Sequence, residues 1–413
     1  MNPAKTIASS VTRYGTHNLI DRQCPSCGAV PLRGFYAVRN VPVNSVILLK
    51  TREEALNYPL GDIHLAYCWN CGFVTNVSFD PNLSEYSDRY EETQGYSTTF
   101  NEFHRRLAEY LIEEYKLRSK RILEIGCGKG EFLALLCEMG GNEGIGFDPA
   151  FVPERTPKIL NGSVKYYPSR FTEEHVHMEA DFYVCKMTLE HIYNTRDFVT
   201  MVRRAVGDRV DATVFFQIPE VFRILRELAF WDIYYEHPSY FSAGSLGRLF
   251  RKSGFDVIDI WTDFDNQYLM IEASPGVSGP LVPPLPQEDD LKDLYPLAGY
   301  FSQAVKTKAR NWLNRLKEYS QEGKRVVLWG GSSKAVAFLT SLNIRKEVEF
   351  VVDINPQKAG TFIAGSGQEI IPPEFLIDYQ PDVIVVMNPV YIAEIRISLG
   401  ELGLSPLLVP VNA

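Results

Sequence analysis

Residues 121–150 read RILEIGCGKGEFLALLCEMGGNEGIGFDPA, and few folds accommodate that order. A short apolar run (Ile122, Leu123, Ile125) leads into glycines at 126, 128 and 130, then Phe132, Leu133, Leu135 and Leu136 follow at helical spacing. A second short run, Gly144 to Phe147, ends in Asp148. Strand, glycine turn, helix, strand and acid make one βαβ unit with a nucleotide-type ligand at its crevice. Gly126 and Gly128 lack a Cβ, so a ligand can lie against their backbone, and the next helix points its free N–H groups at that ligand. Asp148, about 20 residues past the turn, is placed to accept ribose hydroxyls. The spacing is E-x-G-x-G-x-G, which differs from the G-x-G-x-x-G of dinucleotide enzymes.

Two further knuckles precede this unit: Cys24-Pro-Ser-Cys27-Gly and Cys68-Trp-Asn-Cys71-Gly. Each offers two thiolates from one tight turn, and Gly28 or Gly72 lets backbone N–H groups face the sulfurs. Four cysteines complete the closed tetrahedral set of structural zinc and leave no open position; a redox dithiol is the other reading. His64 reads as a surface or core residue, not a fifth ligand. The segment between the knuckles, VPVNSVILLKTREEAL, reads as strand-like runs. Cys127, Cys137 and Cys185 complete an odd total of seven, which suits buried thiols in a reducing compartment. A net charge of −9 without a basic stripe argues against nucleic acid as a partner. No apolar stretch approaches the roughly 18 residues that span a bilayer, and the N-terminus lacks a signal-peptide core. The expectation is a cytoplasmic protein with a small-molecule substrate, no membrane and no obligatory protein partner.

Residues 1–17 read as loosely ordered. The tyrosine-rich segment 79–103, carrying Tyr86, Tyr90 and Tyr96, is either a connecting segment or a loop folded over the ligand. A helix is expected over 101–115, and strands over 164–167, 181–185, 212–219, 255–260 and 268–273. His191, in Lys186-Met-Thr-Leu-Glu-His-Ile192, falls at the carboxyl end of a strand and is either a pocket residue or a helix start. In Trp231 to Ser242, Glu236 and His237 sit beside tyrosines in a proline-containing loop. A histidine there can take a proton near neutral pH, oriented by a carboxylate or phenol. Residues 274–288 are the clearest linker, and a long helix over 291–322 follows. A second βαβ signature then begins, Arg325-Val-Val-Leu-Trp-Gly-Gly-Ser-Ser-Lys334, with Asp353 after its second strand and another strand over 381–387. Its glycines, hydroxyls and Lys334 suit a phosphate; packing alone is the alternative.

EIGCGKG followed by FDP resembles motif I and the second-strand acid of class I S-adenosylmethionine-dependent methyltransferases, and KMTLEHI and EHPSYFS resemble segments of the same family. The whole order, from CxxC…CxxC through EIGCGKG and YEHPSYFS to VLWGGSSKAVAFL and PDVIVVMNP, resembles the zinc-containing deoxysugar C-methyltransferases. That resemblance implies an α/β protein of three parts: a zinc-binding domain (1–85), a Rossmann-like methyltransferase domain (86–285) and a Rossmann-like C-terminal domain that contributes to substrate binding (286–413). It implies S-adenosylmethionine held by Glu124, Gly126, Cys127, Gly128, Asp148, Pro149, Lys186 and Tyr96. It implies a nucleotide-linked keto sugar held by Gly331, Ser332, Ser333, Lys334, Asp353 and Asn388, and zinc on Cys24, Cys27, Cys68 and Cys71. His237 would be the base that removes a proton beside the ketone, with Glu236 and Tyr234 orienting it and His191 and Tyr90 donating to the oxyanion. Residues 262–270 depart from the His-Gly-Gly-Ser-Leu-Arg-like run of the sugar enzymes, and the tyrosine segment departs from their doubled-serine pattern. O- or N-methylation of another small metabolite is therefore the alternative, and a non-catalytic scaffold a third.

Overall fold

A computed structural model describes residues 18–84, 86–276 and 282–413 of the chain, so the loosely ordered segment expected over 1–17 and part of the expected linker lie outside the described residues. The described chain forms three sheets.

The first sheet begins with β1 (Asn18–Ile20), β2 (Leu32–Pro42), β3 (Leu60–Tyr67) and β4 (Val74–Asn76), paired antiparallel in that order. Of the strand-like segment expected between the knuckles, only Val41 and Pro42 belong to a strand. The rest is a loop and a short helix, Arg52–Leu56, started by Thr51, whose side chain accepts the Glu54 N–H.

The central sheet holds β5 (Arg121–Ile125), β6 (Glu143–Phe147), β7 (Ser163–Tyr167), β8 (Phe182–Lys186) and β9 (Thr213–Pro219), all parallel. The two-residue β10 (Ser239–Tyr240) leaves this region; β11 (Phe255–Asp263) and β12 (Tyr268–Pro275) close the sheet antiparallel, giving the order β11-β12-β9-β8-β5-β6-β7. Parallel strands are covered on both faces and so are apolar throughout. In β8, Phe182 and Val184 pack toward the helices Thr98–Glu114 and Glu131–Gly140, and Tyr183 and Cys185 toward Thr195–Val206 and Ala243–Lys252. The first of these helices starts at Thr98 because Ser97 caps it, accepting the Phe100 N–H.

The third sheet, β13 (Val326–Trp329), β14 (Phe350–Val352), β15 (Glu369–Ile371), β16 (Val383–Val386) and β17 (Leu407–Pro410), is parallel in the order β15-β14-β13-β16-β17. The long helix Leu291–Gln321 precedes it and is tied to it by Trp312, whose indole N–H donates to the Val411 carbonyl at 3.0 Å.

The three sheets share their cores. β10 adds to the free edge of β4, with Ser239 opposite Thr75. Phe35 and Tyr36 of β2 pack edge-on against Phe301 of the long helix, and the Phe362 and Gly365 N–H groups donate to Leu49 and Ala55 carbonyls. Among the described residues no helix is long and apolar enough to cross a membrane.

Candidate active site

The carboxyl ends of β5, β6 and β8 and those of β13, β14 and β16 open onto one cavity of about 850 Å³. On the first wall, Gly126 and Gly128 turn with φ of 73° and 55°. A Cβ on Gly126 would lie 1.9 Å from the Thr188 hydroxyl oxygen, and one on Gly128 would lie 2.6 Å from a Glu92 carboxylate oxygen, so the turn admits only glycine. Asp148 accepts the N–H groups of Gly128 (2.9 Å) and Ala150 (2.7 Å), which orient it at the crevice. Glu124 is buried, and its Oε2 has no hydrogen-bond partner in the protein. Burial pushes the Glu124 carboxyl up and the neighbouring Lys186 ammonium down, each to about 7. Lys186 lies over the Phe132 ring and 2.8 Å from His104 Nε2. A glycine cradle, an acid at the second strand and an orphaned carboxylate oxygen fit the adenosyl and amino-acid ends of S-adenosylmethionine. Cys127, Pro149 and Tyr96 line the same wall. Asp148→Ala is expected to weaken S-adenosylmethionine binding about 10–100-fold, the worth of hydrogen bonds to a charged acceptor; calorimetry on the full chain measures it.

The loop between the helix Val221–Glu227 and β10 brings His237 to the cavity, where its ring meets His191 edge to face at 4.6 Å and Tyr234 at 4.8 Å. Burial, then His191, holds His237 well below the usual histidine range, so it is neutral and carries a lone pair at pH 7. Tyr234 orients this ring by contact only; its hydroxyl donates to Asp232 at 2.7 Å. Glu236 departs from the expectation: it lies off the cavity and does not reach His237. Its carboxylate accepts from Asn44 Nδ2, the Ser45 N–H and hydroxyl, and Tyr90 OH. Alternation along the loop sends adjacent side chains opposite ways, so Glu236 anchors the loop to the first sheet. Glu236→Gln, which sets an amide N–H₂ against these donors, is expected to cost about 1–3 kcal/mol of stability, read as a shifted denaturant midpoint.

His191 Nδ1 lies 2.9 Å from the Glu236 carbonyl and 2.8 Å from Tyr86 OH. A carbonyl only accepts, so Nδ1 carries the proton and Nε2 the lone pair. The Tyr90 hydroxyl is engaged as a hydrogen-bond donor to the Glu236 carboxylate at 3.1 Å. Neither therefore offers the expected donor to an oxyanion, whereas the Tyr86 hydroxyl is available. Tyr86 and Tyr90 both line the cavity, and the segment carrying them is bonded to the third sheet's domain through Gln94 to Tyr391, Ser97 to Glu394 and Glu91 to Asn355.

The second wall repeats the first. Asp353 accepts the N–H groups of Gly331 (2.8 Å) and Asn355 (2.8 Å), as Asp148 does with Gly128 and Ala150. Ser332, Ser333, Lys334, Asp353 and Asn388 line the cavity; Gly331 does not, because its N–H turns inward to Asp353, and Gly330 takes the exposed place. Lys334 is not a free point charge: it pairs with Asp232, which also accepts Arg223 at 2.7 Å. Burial pushes the Asp232 carboxyl up, but these two cations outweigh it and hold it below the usual range. The cation beside the turn is Lys358, bonded to the Ser332 hydroxyl and 3.4 Å from Asp353. Asp232 pairs with Lys334 102 residues along the chain, and Arg223 and Lys358 stand in no motif, so all three escape sequence reasoning; Asp232 alone had a signal, its place in the Trp231–Ser242 segment.

The four knuckle sulfurs lie within 4.8 Å of one another, with Cys24 and Cys71 at 3.7 Å and Cys27 and Cys68 at 3.5 Å. Those separations match the edge of a tetrahedron about a zinc ion bound at about 2.3 Å. Gly28 and Gly72 donate to the Cys24 and Cys68 carbonyls, closing each turn. Asn70 Nδ2 points at the Cys27 sulfur at 3.4 Å.

Residues 96–260 match a family described as methyltransferase domain, and residues 285–402 a family described as C-methyltransferase C-terminal domain. C-methyltransferase NovU of Streptomyces niveus is 25% identical over 365 residues, covering 84% of this chain and 85% of that protein. Among solved structures, 1,6-didemethyltoxoflavin-N1-methyltransferase of Burkholderia thailandensis covers 44% of this chain and 83% of its own, at 15% identity and a TM-score of 0.34. Magnesium protoporphyrin IX methyltransferase of Synechocystis PCC 6803 covers 43% and 84%, at 11% identity and a TM-score of 0.33.

Proposed function

We propose, for a chain that belongs to the S-adenosylmethionine-dependent C-methyltransferases, that the carbon it methylates lies beside the ketone of a nucleotide-linked sugar. The observation that carries this reading is the paired crevice: two glycine turns, each with a second-strand acid, face one cavity with His191 and His237 on its wall. The first crevice takes S-adenosylmethionine. The second takes the nucleoside diphosphate, with Ser332, Ser333 and Lys358 toward phosphate and Asp353 toward ribose. His237 accepts the proton as the C–H bond breaks, and that electron pair moves through carbon to the ketone oxygen. The Tyr86 hydroxyl donates to the oxygen as its charge grows. S-adenosylmethionine, when bound, would supply an electrophilic methyl: the enolate pair returns to carbon to form the C–C bond, and sulfur keeps the pair of the S–C bond that breaks. Tyr234, held by Asp232, keeps the His237 ring in place; residues 1–85, 86–285 and 286–413 are read as the zinc-binding, methyltransferase and substrate-binding domains.

The test is turnover of nucleoside-diphosphate 4-keto sugars with methyl-labelled S-adenosylmethionine, followed by carbon NMR of the product. A labelled methyl bonded to carbon supports the reading; a labelled methoxy or N-methyl group selects a different acceptor atom.

A further inference from the structure

The mechanism leaves one group on the cavity wall without a task. Glu190 is 1% exposed and lines the cavity, yet neither of its carboxylate oxygens has a hydrogen-bond partner in the protein. A carboxylate in such a place is strongly unfavourable unless it coordinates a cation or is held as the neutral acid, toward which burial pushes Glu190, up to about 8. The groups nearest to hand are not cations but two imidazoles: one Glu190 oxygen, one ring nitrogen of His191 and one of His237 all lie within 4.8 Å of one another. A first-row divalent ion bound at about 2.0–2.2 Å from nitrogen and oxygen donors holds them at comparable separations, so only small side-chain movements are needed.

The surroundings fit the same chemistry. His191 donates its Nδ1–H to the Glu236 carbonyl, the outer contact that fixes a ligating imidazole with its other nitrogen turned toward an ion. Glu236 is itself pinned by Asn44, Ser45 and Tyr90, so this carbonyl is rigidly placed. We propose that Glu190, His191 and His237 form a second metal site, which takes a divalent transition ion through two imidazole nitrogens and one carboxylate oxygen and leaves its remaining positions open to the cavity. The donor set is nitrogen and oxygen, in contrast to the all-sulfur set of the knuckles, and so favours a different ion and a different spectrum. An ion here uses the His237 lone pair, so a filled site and proton removal by His237 exclude each other.

The experiment uses the full chain with its cysteine site saturated with zinc, without acceptor, so its outcome is independent of the sugar reading above. Co²⁺ is added, and metal content and optical spectrum are followed together. The expected result is one further equivalent with ligand-field bands and no thiolate charge-transfer bands. Glu190→Gln and His191→Asn should each weaken that equivalent at least about 10-fold while keeping zinc and the wild-type far-UV spectrum. No further equivalent, Co²⁺ entering only at the thiolates, or a further equivalent that both variants bind as tightly as the wild type, would overturn the proposal.

Discussion

His237→Gln lowers turnover about 10²–10⁴-fold, the range for loss of a positioned general base, and leaves S-adenosylmethionine affinity at the wild-type value. The two effects separate because the cofactor crevice is built from the turn after β5 and from Asp148, whereas His237 sits on the loop that leads into β10. The substitution keeps the side-chain volume roughly constant in a site that is 7% exposed, so packing on His191 and Tyr234 survives. A pH dependence accompanies it. A base acts when unprotonated, and His237 is held below the ordinary histidine value by burial and by His191. The wild-type kcat/KM therefore shows no acid limb near pH 6.5; the limb lies lower. An acid limb at the ordinary histidine position would mean that a different, solvated group takes the proton. Steady-state kinetics across pH on both proteins checks this.

Loss of the four-thiolate site at the cysteine cluster is expected to have the second large effect. Structural zinc in small modules contributes on the order of 10–16 kcal/mol of apparent folding free energy, and the two knuckles form the β1–β2 and β3–β4 connections of the first sheet. Cys68→Ser, or a strong chelator, is expected to unfold this sheet. The loss reaches the catalytic loop through β10, which pairs with β4 two residues after His237, and through Asn44 and Ser45, which anchor Glu236. Turnover therefore collapses. One face of the central sheet, under the helices Thr98–Glu114 and Glu131–Gly140, keeps a core free of knuckle residues, although the other face shares its core with Cys24, Cys68, Cys71 and Phe73, so S-adenosylmethionine is expected still to bind. Calorimetric titration of cofactor and a near-ultraviolet spectrum, before and after chelation, resolve the two outcomes. Unchanged turnover in a metal-free chain would remove the knuckles from any supporting role.

Much of the site was legible because its chemistry is local. The turn at 126–130 and Asp148 are fixed by residue type within one βαβ unit, and the two knuckles each declare a pair of ligands in four residues. His191 and His237 each sit in a short recognisable segment. What could not be read is set by residues far apart in sequence. Glu236 adjoins His237 in the chain, which invites a partnership, but its hydrogen-bond partners come from Asn44 and Ser45, in the loop after β2, and from Tyr90. Lys334 reads as a phosphate cation until Asp232, in the turn after the helix Val221–Glu227, takes its charge. Lys358 has no motif of its own and becomes relevant only through its contacts with Ser332 and Asp353. β10 is two residues long and carries no periodicity, so its place in the first sheet follows only from the free edge of β4.

The most direct test of proton removal by His237 separates that step from methyl transfer. The full chain is loaded with S-adenosylhomocysteine, which carries no methyl to give, and incubated in deuterium oxide with a nucleoside-diphosphate 4-keto sugar. The proton and deuteron NMR spectra of the recovered sugar then report exchange at the carbon beside the ketone. Deuterium entering that carbon with the wild type, and not with His237→Gln, is the expected result. Exchange at the same rate in both proteins, or none in the wild type while it methylates the same sugar at carbon, would contradict it.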